Sequence, residues 1–300
     1  MSSPAKFVLA IPHAPWNTAR AINLETMMRS ALVLEGVDRG AHAFFRTFTE
    51  RAPWPERSVT RWKWALETAK DRGATHFVQL EDDVVLYEHF WEALHAMTTA
   101  WPEDVICLAA THSMGPLVAL QGRRSYKTPK LLGWAFSFPV FPWLEKLVAA
   151  GEDGRLADYA KRPGAVEDGF LAEFFVGQGK MPRHPCPTIV DHLFLPSTQG
   201  KEFDAHTNCQ ATVTWRDFAR ADMASPEWWN TAHTTLPPEW TKELKGLMGT
   251  CHWCFERPAV LSSPKTHAGI CKVCILGHVM TTLGFPFPGG PAAVKGDFGC

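Results

Sequence analysis

The sequence predicts an α/β protein, a mostly parallel sheet sandwiched by helices, with a small cysteine-bearing module towards its C-terminal end. Three observations carry this. Short apolar runs alternate with helix-period segments over residues 1 to about 215, the pattern of strands joined by crossover helices. The pattern stops at SPEWWNTAHTTLPPEW (225–240), rich in Pro, Thr and Trp, which reads as a linker able to pack on the main domain. Two C-x-x-C pairs then follow. The 300 residues, 46% hydrophobic and 20% charged, suffice for one large domain plus a small one. The division expected is 1–222 for the α/β domain, 223–245 for the linker, 246–284 for the cysteine module and 285–300 for an irregular tail.

Each element has its own signal. KFVLAIPH (6–13) is a buried first strand, and APWNTARAIN (14–23) a loop leading into a helix around Leu24–Leu34. SVTRWKWALETAKDRG (58–73) is the clearest helix: Val59, Trp62, Leu66 and Ala69 recur at helical spacing, and Gly73 suits a C-terminal cap. HFVQL (76–80) is a short strand, followed by a helix over about 87–100 and a strand at VICLAA (105–110). Residues 111–129 are polar and read as a loop. GWAFSFPV (133–140) is a strand, PWLEKLVAAG (142–151) and EDGFLAEFFVGQG (167–179) are helices, and TIVDHLF (188–194) is a late strand.

Charge limits the partners. The formal net charge is -1, so no global basic field points to nucleic acid, although a local patch is compatible with it. No segment approaches the roughly 18 apolar residues of a membrane helix, and Phe7 to Ile11 is too short for a signal segment, so a cytoplasmic location without a membrane partner is expected.

Three acids, Glu81, Asp82 and Asp83, interrupt the apolar run THFVQLEDDVVLYEHF (75–90). Like carboxylates repel, and their burial is costly unless a cation compensates or the strand end opens on a cleft. Parallel sheets bind ligands beyond the C-terminal ends of their strands. Mg²⁺ and Mn²⁺ prefer carboxylate oxygens and share their shells with phosphates, so acids there suit a metal–diphosphate. A solvated turn is the plain alternative.

With its strand ending in acids, THFVQLEDDVVL resembles the acidic motif of nucleotide-sugar-dependent glycosyltransferases of the GT-A fold. The resemblance implies a GT-A-like sheet and a divalent metal, Mn²⁺ or Mg²⁺, bridging the diphosphate of a nucleotide-sugar donor, a UDP-sugar being favoured. Asp83 would be the metal ligand, Glu81 would lie near the donor ribose or the metal shell, and Asp82 is the less defined member. In PGAVEDGFLAEFF the family places an acidic pair before a helix, and one carboxylate serves as base in inverting enzymes. Glu167 and Asp168 share that expectation, since an acceptor hydroxyl must lose a proton as it attacks; the competing explanation is ordinary acid placement at a helix N-terminus. His192 would complete the metal site. In this fold the loop after the first strand cups the nucleotide, which implicates His13, Asn17 and Arg20, the last pairing with the diphosphate. Ser197 and Lys201 could meet phosphates. Arg123, Arg124 and Lys127 form a basic cluster, either a polyanion contact or a solvated loop.

The most specific signal is C-x2-C-x16-C-x2-C at Cys251, Cys254, Cys271 and Cys274. Four thiolates at this spacing fit a zinc ribbon with structural Zn²⁺, no position being left open for water. A GT-A domain with an appended ribbon resembles the phage-encoded glycosyltransferases that add sugars to hydroxymethylated pyrimidines in DNA. That implies DNA as acceptor, a DNA-holding ribbon, the host-cell cytoplasm as location, and Trp228 and Trp229 as stacking platforms for a flipped base. The alternatives are a transferase acting on a saccharide or lipopolysaccharide core, a non-enzymatic nucleic-acid-binding protein, and, last, a metal-dependent nuclease using Glu81, Asp83 and Glu167.

Overall fold

Strand β1 (Phe7–His13) is buried from Phe7 to Pro12 because both of its faces are covered. Phe7, Leu9 and Ile11 enter one apolar cluster, and Val8 and Ala10 the other. Strand β3 (His76–Leu80) repeats the arrangement, with Val78 and Leu80 on the first side and Phe77 on the second. That two-sided burial turns strands into continuous apolar runs. The structure is a computed structural model that describes residues 5–33, 43–49, 52–86, 89–109, 123–186, 188–192, 221–231, 261–262 and 269–270.

The main sheet has seven strands in the order β2 (Ala43–Thr49), β1, β3, β7 (Ala135–Pro139), β5 (Ile106–Cys107), β8 (Arg183–Pro185), β6 (Ser125–Lys127). Strands β2, β1 and β3 are parallel; β7 is antiparallel to both β3 and β5; β8 is parallel to β5; and β6 is antiparallel to β8. Only β7 and β6 thus oppose the common direction, and the architecture is mixed α/β. The helices are α1 (Thr18–Val33), α2 (Trp54–Arg72), α3 (Phe90–Ala100), α4 (Val140–Glu152, helical beyond a non-helical Phe141), α5 (Arg155–Ala160), α6 (Glu167–Gly177) and α7 (Pro226–Asn230). Leu94 and Met97 of α3 build the first cluster; Trp62 of α2, Leu144 and Leu147 of α4, and Leu171 and Phe175 of α6 build the second. No helix among the described residues is long and apolar enough to cross a membrane.

Several elements depart from expectation for local reasons. Helix α1 begins at Thr18 rather than Leu24, because Asn17 Oδ1 accepts the Arg20 N–H (3.3 Å) and caps it. Helix α3 starts at Phe90, after His89 in the left-handed region (φ 63°). The buried stripe of α2 is Ser58, Arg61, Trp62, Ala65 and Ala69, so Val59 and Leu66 flank it rather than lead it. Gly73 does cap α2 (φ 69°), its N–H reaching Ala69 O at 2.8 Å. Residues 125–127, expected in a loop, form β6. The apolar run after the acids is a separate strand, β4 (Val84–Leu86), antiparallel to β9 (Val190–His192) and outside the main sheet.

Residues 221–231 fold onto α3: Met223 and Trp229 enter the first cluster. Helices α2 and α4 approach so closely that a Cβ on Gly151 would lie 2.3 Å from Val59 Cγ2. A short antiparallel pair, β10 (Leu261–Ser262) with β11 (Gly269–Ile270), lies in sequence between the two C-x-x-C pairs. Cys251, Cys254, Cys271 and Cys274, together with Ser197, Lys201 and the 285–300 tail, fall outside the described residues.

Candidate functional site

The acids sit where β3 ends. The Glu81 N–H donates to the Trp134 carbonyl (2.8 Å), which ties the end of β3 to the segment entering β7. Asp82 and Asp83 are 1% and 0% exposed, and Arg20 from α1 is 8% exposed. Arg20 Nη1 donates to Asp82 Oδ1 at 2.6 Å, and its Nη2 pairs with Asp83 Oδ2. Asp82 Oδ2 also accepts from the Ala14 N–H (2.8 Å) and meets His13 Nδ1 (2.9 Å). Asn23 Nδ2 donates to the carbonyls of Asp82 (2.8 Å) and Val84 (3.0 Å), clamping the turn. Burial alone would lower the Arg20 pKa, but Asp83, Glu81 and Asp82 outweigh it and hold the guanidinium above its ordinary value.

A second acidic pair opens α6. Glu167 bonds Arg61 of α2, which is 1% exposed and also donates to Ser58 Oγ at 3.3 Å. Asp168 accepts from the Gly169 N–H at 2.8 Å. Burial pushes its carboxyl pKa up; the Gly169 N–H pulls it down, and the charge of Glu167 pushes it up again. Gly133 lies against this carboxylate, with room for no side chain: a Cβ there would stand 2.7 Å from Asp168 Cβ. Gln79, on β3 two residues before Glu81, donates to the Gly133 carbonyl (3.2 Å). Cys107, at the end of β5, receives the Leu132 N–H at 3.3 Å, and burial drives its thiol up to about 12, which leaves it an inert packing group.

The Leu132–Ala135 segment therefore joins the two acidic groups beyond the C-terminal end of β3, a central strand of the sheet. His13, Asn17, Arg20, Glu81, Asp82 and Asp83 gather at the ends of β1 and β3, and Asp168 stands next to the segment that receives Glu81. Asp82 is held by Arg20, His13 and the Ala14 N–H, and Glu167 is committed to Arg61. His192 pairs in backbone register with Val84, one residue beyond Asp83; the described part of His192 is its backbone.

Asp83, the expected metal ligand, turns to Arg20, and the side chain of His192, its expected companion, lies outside the described residues. Asp82 and Asp83 are buried and both turn to Arg20, and among the described residues no three His, Cys, Asp or Glu side chains converge on a point that could hold a metal. The Arg20 guanidinium lies against both carboxylates and offsets their charge. The sequence reading missed Asn23, Gln79, Arg61 and Gly133. Each carries an ordinary helix, strand or loop signal, and their contacts span 54 to 106 residues of chain.

No protein-family model matches the chain, and no curated protein matches it. Solved structures similar to it include A197 from STIV, at TM-score 0.38 and 15% identity over 63% of this chain and 85% of that one. Also similar is a glycosyltransferase involved in the glycosylation of the major capsid of PBCV-1, at TM-score 0.40 and 11% identity over 62% and 93% of the two chains.

Proposed function

We propose that the protein is a glycosyltransferase that moves a sugar from a nucleotide-sugar donor to an acceptor hydroxyl. The observation that carries this is the gathering of Arg20, His13 and Asp82, and the half-buried carboxylate of Asp168, at the C-terminal ends of the central strands, where ligands of α/β proteins bind. In this reading His13 faces the nucleotide diphosphate, and Arg20, engaged by Asp82 and Asp83, holds the turn behind it in place. Asp168 takes the proton of the acceptor hydroxyl as its oxygen attacks the anomeric carbon. The bond from that carbon to the diphosphate oxygen breaks, the nucleoside diphosphate leaves, and the configuration inverts. Asp168 suits the base role better than Glu167, because its raised pKa brings it closer to the proton it must accept, whereas Glu167 neutralises Arg61. No step is assigned to a metal. A hydroxymethylated base in DNA is the acceptor we put forward, on the resemblance of the motifs, with Zn²⁺ on the four cysteines as the companion proposal.

The test is transfer and donor hydrolysis across UDP- and GDP-sugars, with hydroxymethylated DNA among the acceptors, each measured with Mn²⁺ and with EDTA. Asp168→Asn is expected to lose roughly 10²- to 10⁴-fold in kcat. Glu167→Gln is expected to lose about 3 kcal/mol of stability, by leaving Arg61 buried without its carboxylate, and much less of the rate per folded molecule. Turnover in EDTA is expected to stay within a few-fold of that with Mn²⁺; its abolition would show that Asp83 gives up Arg20 for an ion. Absence of turnover with every donor would refute the proposal.

A further inference from the structure

Strand β3 carries one residue that its apolar surroundings do not explain. Gln79 is 2% exposed and stands between Val78 and Leu80, in a run that is otherwise apolar from Phe77 onwards. Alternation along the strand puts it on the same face as Phe77, towards the second cluster. Its Nε2 donates to the Gly133 carbonyl (3.2 Å), and its Oε1 meets no donor among the described residues. An amide buried with part of its hydrogen bonding unmade weakens a fold. Packing therefore gives no reason for a glutamine here; the contact with Gly133 does.

Gly133 is the residue on which Asp168 rests. Its N–H bonds the Asp168 carboxylate, and an added Cβ would stand 2.7 Å from Asp168 Cβ. The glycine is thus held on both sides, at its carbonyl by Gln79 and at its N–H by the carboxylate. Its neighbours are anchored as well. Cys107 Sγ receives the Leu132 N–H (3.3 Å), the Glu81 N–H reaches the Trp134 carbonyl (2.8 Å), and the Leu108 N–H reaches the Ala135 carbonyl (3.0 Å). Of these four anchors, Gln79 is the one that holds the residue touching Asp168.

We propose that Gln79 is a positioning residue of the transfer reaction: it fixes Gly133, and the Gly133 N–H in turn keeps the Asp168 carboxylate turned to the acceptor hydroxyl. This role rests on the reading of Asp168 as the base.

The test uses the full chain and its Gln79→Met and Gln79→Asn variants. Methionine keeps the volume and removes the donor; asparagine keeps the amide but is one methylene short. Two quantities are followed against pH: kcat with donor KM, and the Asp168 carboxyl signal in ¹³C NMR, assigned by its loss in Asp168→Asn. The titratable groups acting on Asp168 are Glu167 of its own helix, the Tyr159 phenol of α5 and the Cys107 thiol of β5. Both variants leave these in place and add no charge, so a shift reports the hydrogen bond. That bond lowers the Asp168 pKa, and loosening it must raise it. Gln79→Met should therefore move the acid limb of kcat and the NMR titration together to higher pH, by about half a pH unit. It should also lower kcat roughly ten-fold with donor KM little changed. Gln79→Asn should fall between this and the unaltered chain, and it gives the reading if Gln79→Met proves unfolded by circular dichroism. A folded variant in which Asp168 titrates as before overturns the proposal, even where kcat falls, because that outcome assigns Gln79 to packing alone. Absence of turnover in the unaltered chain with every donor refutes the transferase reading and this role with it; an unshifted Asp168 in an active chain refutes this role only.

Discussion

At the scale of single residues, the puzzle of three adjacent acids is solved by one arginine. Arg20 spans Asp82 and Asp83, and the Ala14 N–H and His13 take up the remaining Asp82 oxygen. Removing one partner of a buried ion pair leaves a stranded charge, which costs roughly 3–5 kcal/mol. Arg20→Ala should therefore lower Tm and denaturant midpoint by an amount of that size, and Arg20→Lys should recover little, since one ammonium cannot reach two carboxylates as a fork does. An Arg20→Ala protein as stable as the parent would show that the acids do not depend on this residue. Arg20 stood out in the sequence as a diphosphate contact, and the acids as a metal site, but the pairing between them did not. The two are 62 residues apart, and no local pattern encodes a pairing that only the fold creates.

At the scale of elements, the strands buried on both faces were the most legible, because FVLAIPH and HFVQL are unbroken apolar runs. Strand β2 was not: it stands at one end of the sheet, with Phe45 half exposed and Arg46 and Thr47 in its middle, so it has neither a run nor a clean alternation. Of the α2 stripe, Trp62 and Ala69 are buried and Val59 and Leu66 pack half-buried against the same cluster, while the burial of Ser58 and Arg61, which serves polar contacts, was not legible. The acidic start of α6 was visible, but the division of labour within it was not, since that depends on Arg61 reaching one carboxylate and Gly133 covering the other. Gly133→Ala tests the element-level link. A methyl group 2.7 Å from Asp168 Cβ must displace either the loop or the first turn of α6. We expect kcat to fall at least ten-fold with KM for the donor little changed, because only the base would move. Equal losses in both parameters would place the damage at the donor side instead.

At the scale of the molecule, two apolar clusters sandwich the sheet, and the polar groups sealed inside them set its response to pH. Burial lowers the His76 pKa from an ordinary 6.5 to about 4; a hydrogen bond with Pro102 opposes this and the charge of His95 adds to it. His184 is lowered in the same sense by burial. Between those values the unfolded chain binds a proton that the folded chain refuses. The contribution is thus complete above pH 6.5 and is lost as pH falls towards 4, a cost on the order of 3 kcal/mol for His76. Asp168 acts oppositely, its raised pKa favouring the folded state at low pH and costing stability once it ionises. Urea melts between pH 7 and 4 should show a net decline, and His76→Gln, if folded, should flatten it; an unchanged slope would mean that His76 titrates normally. Gly151 has a mechanical consequence at this same scale. It works as the gauge that sets the gap between α2 and α4, and the helix it holds close carries Arg61, the strut that props Glu167 at the start of α6. A single methyl group inserted there, as in Gly151→Ala, would be a wedge driven far along the chain from the chemistry. Its force would run down α2 to the base, so activity should decay before the melting temperature registers the whole of the damage.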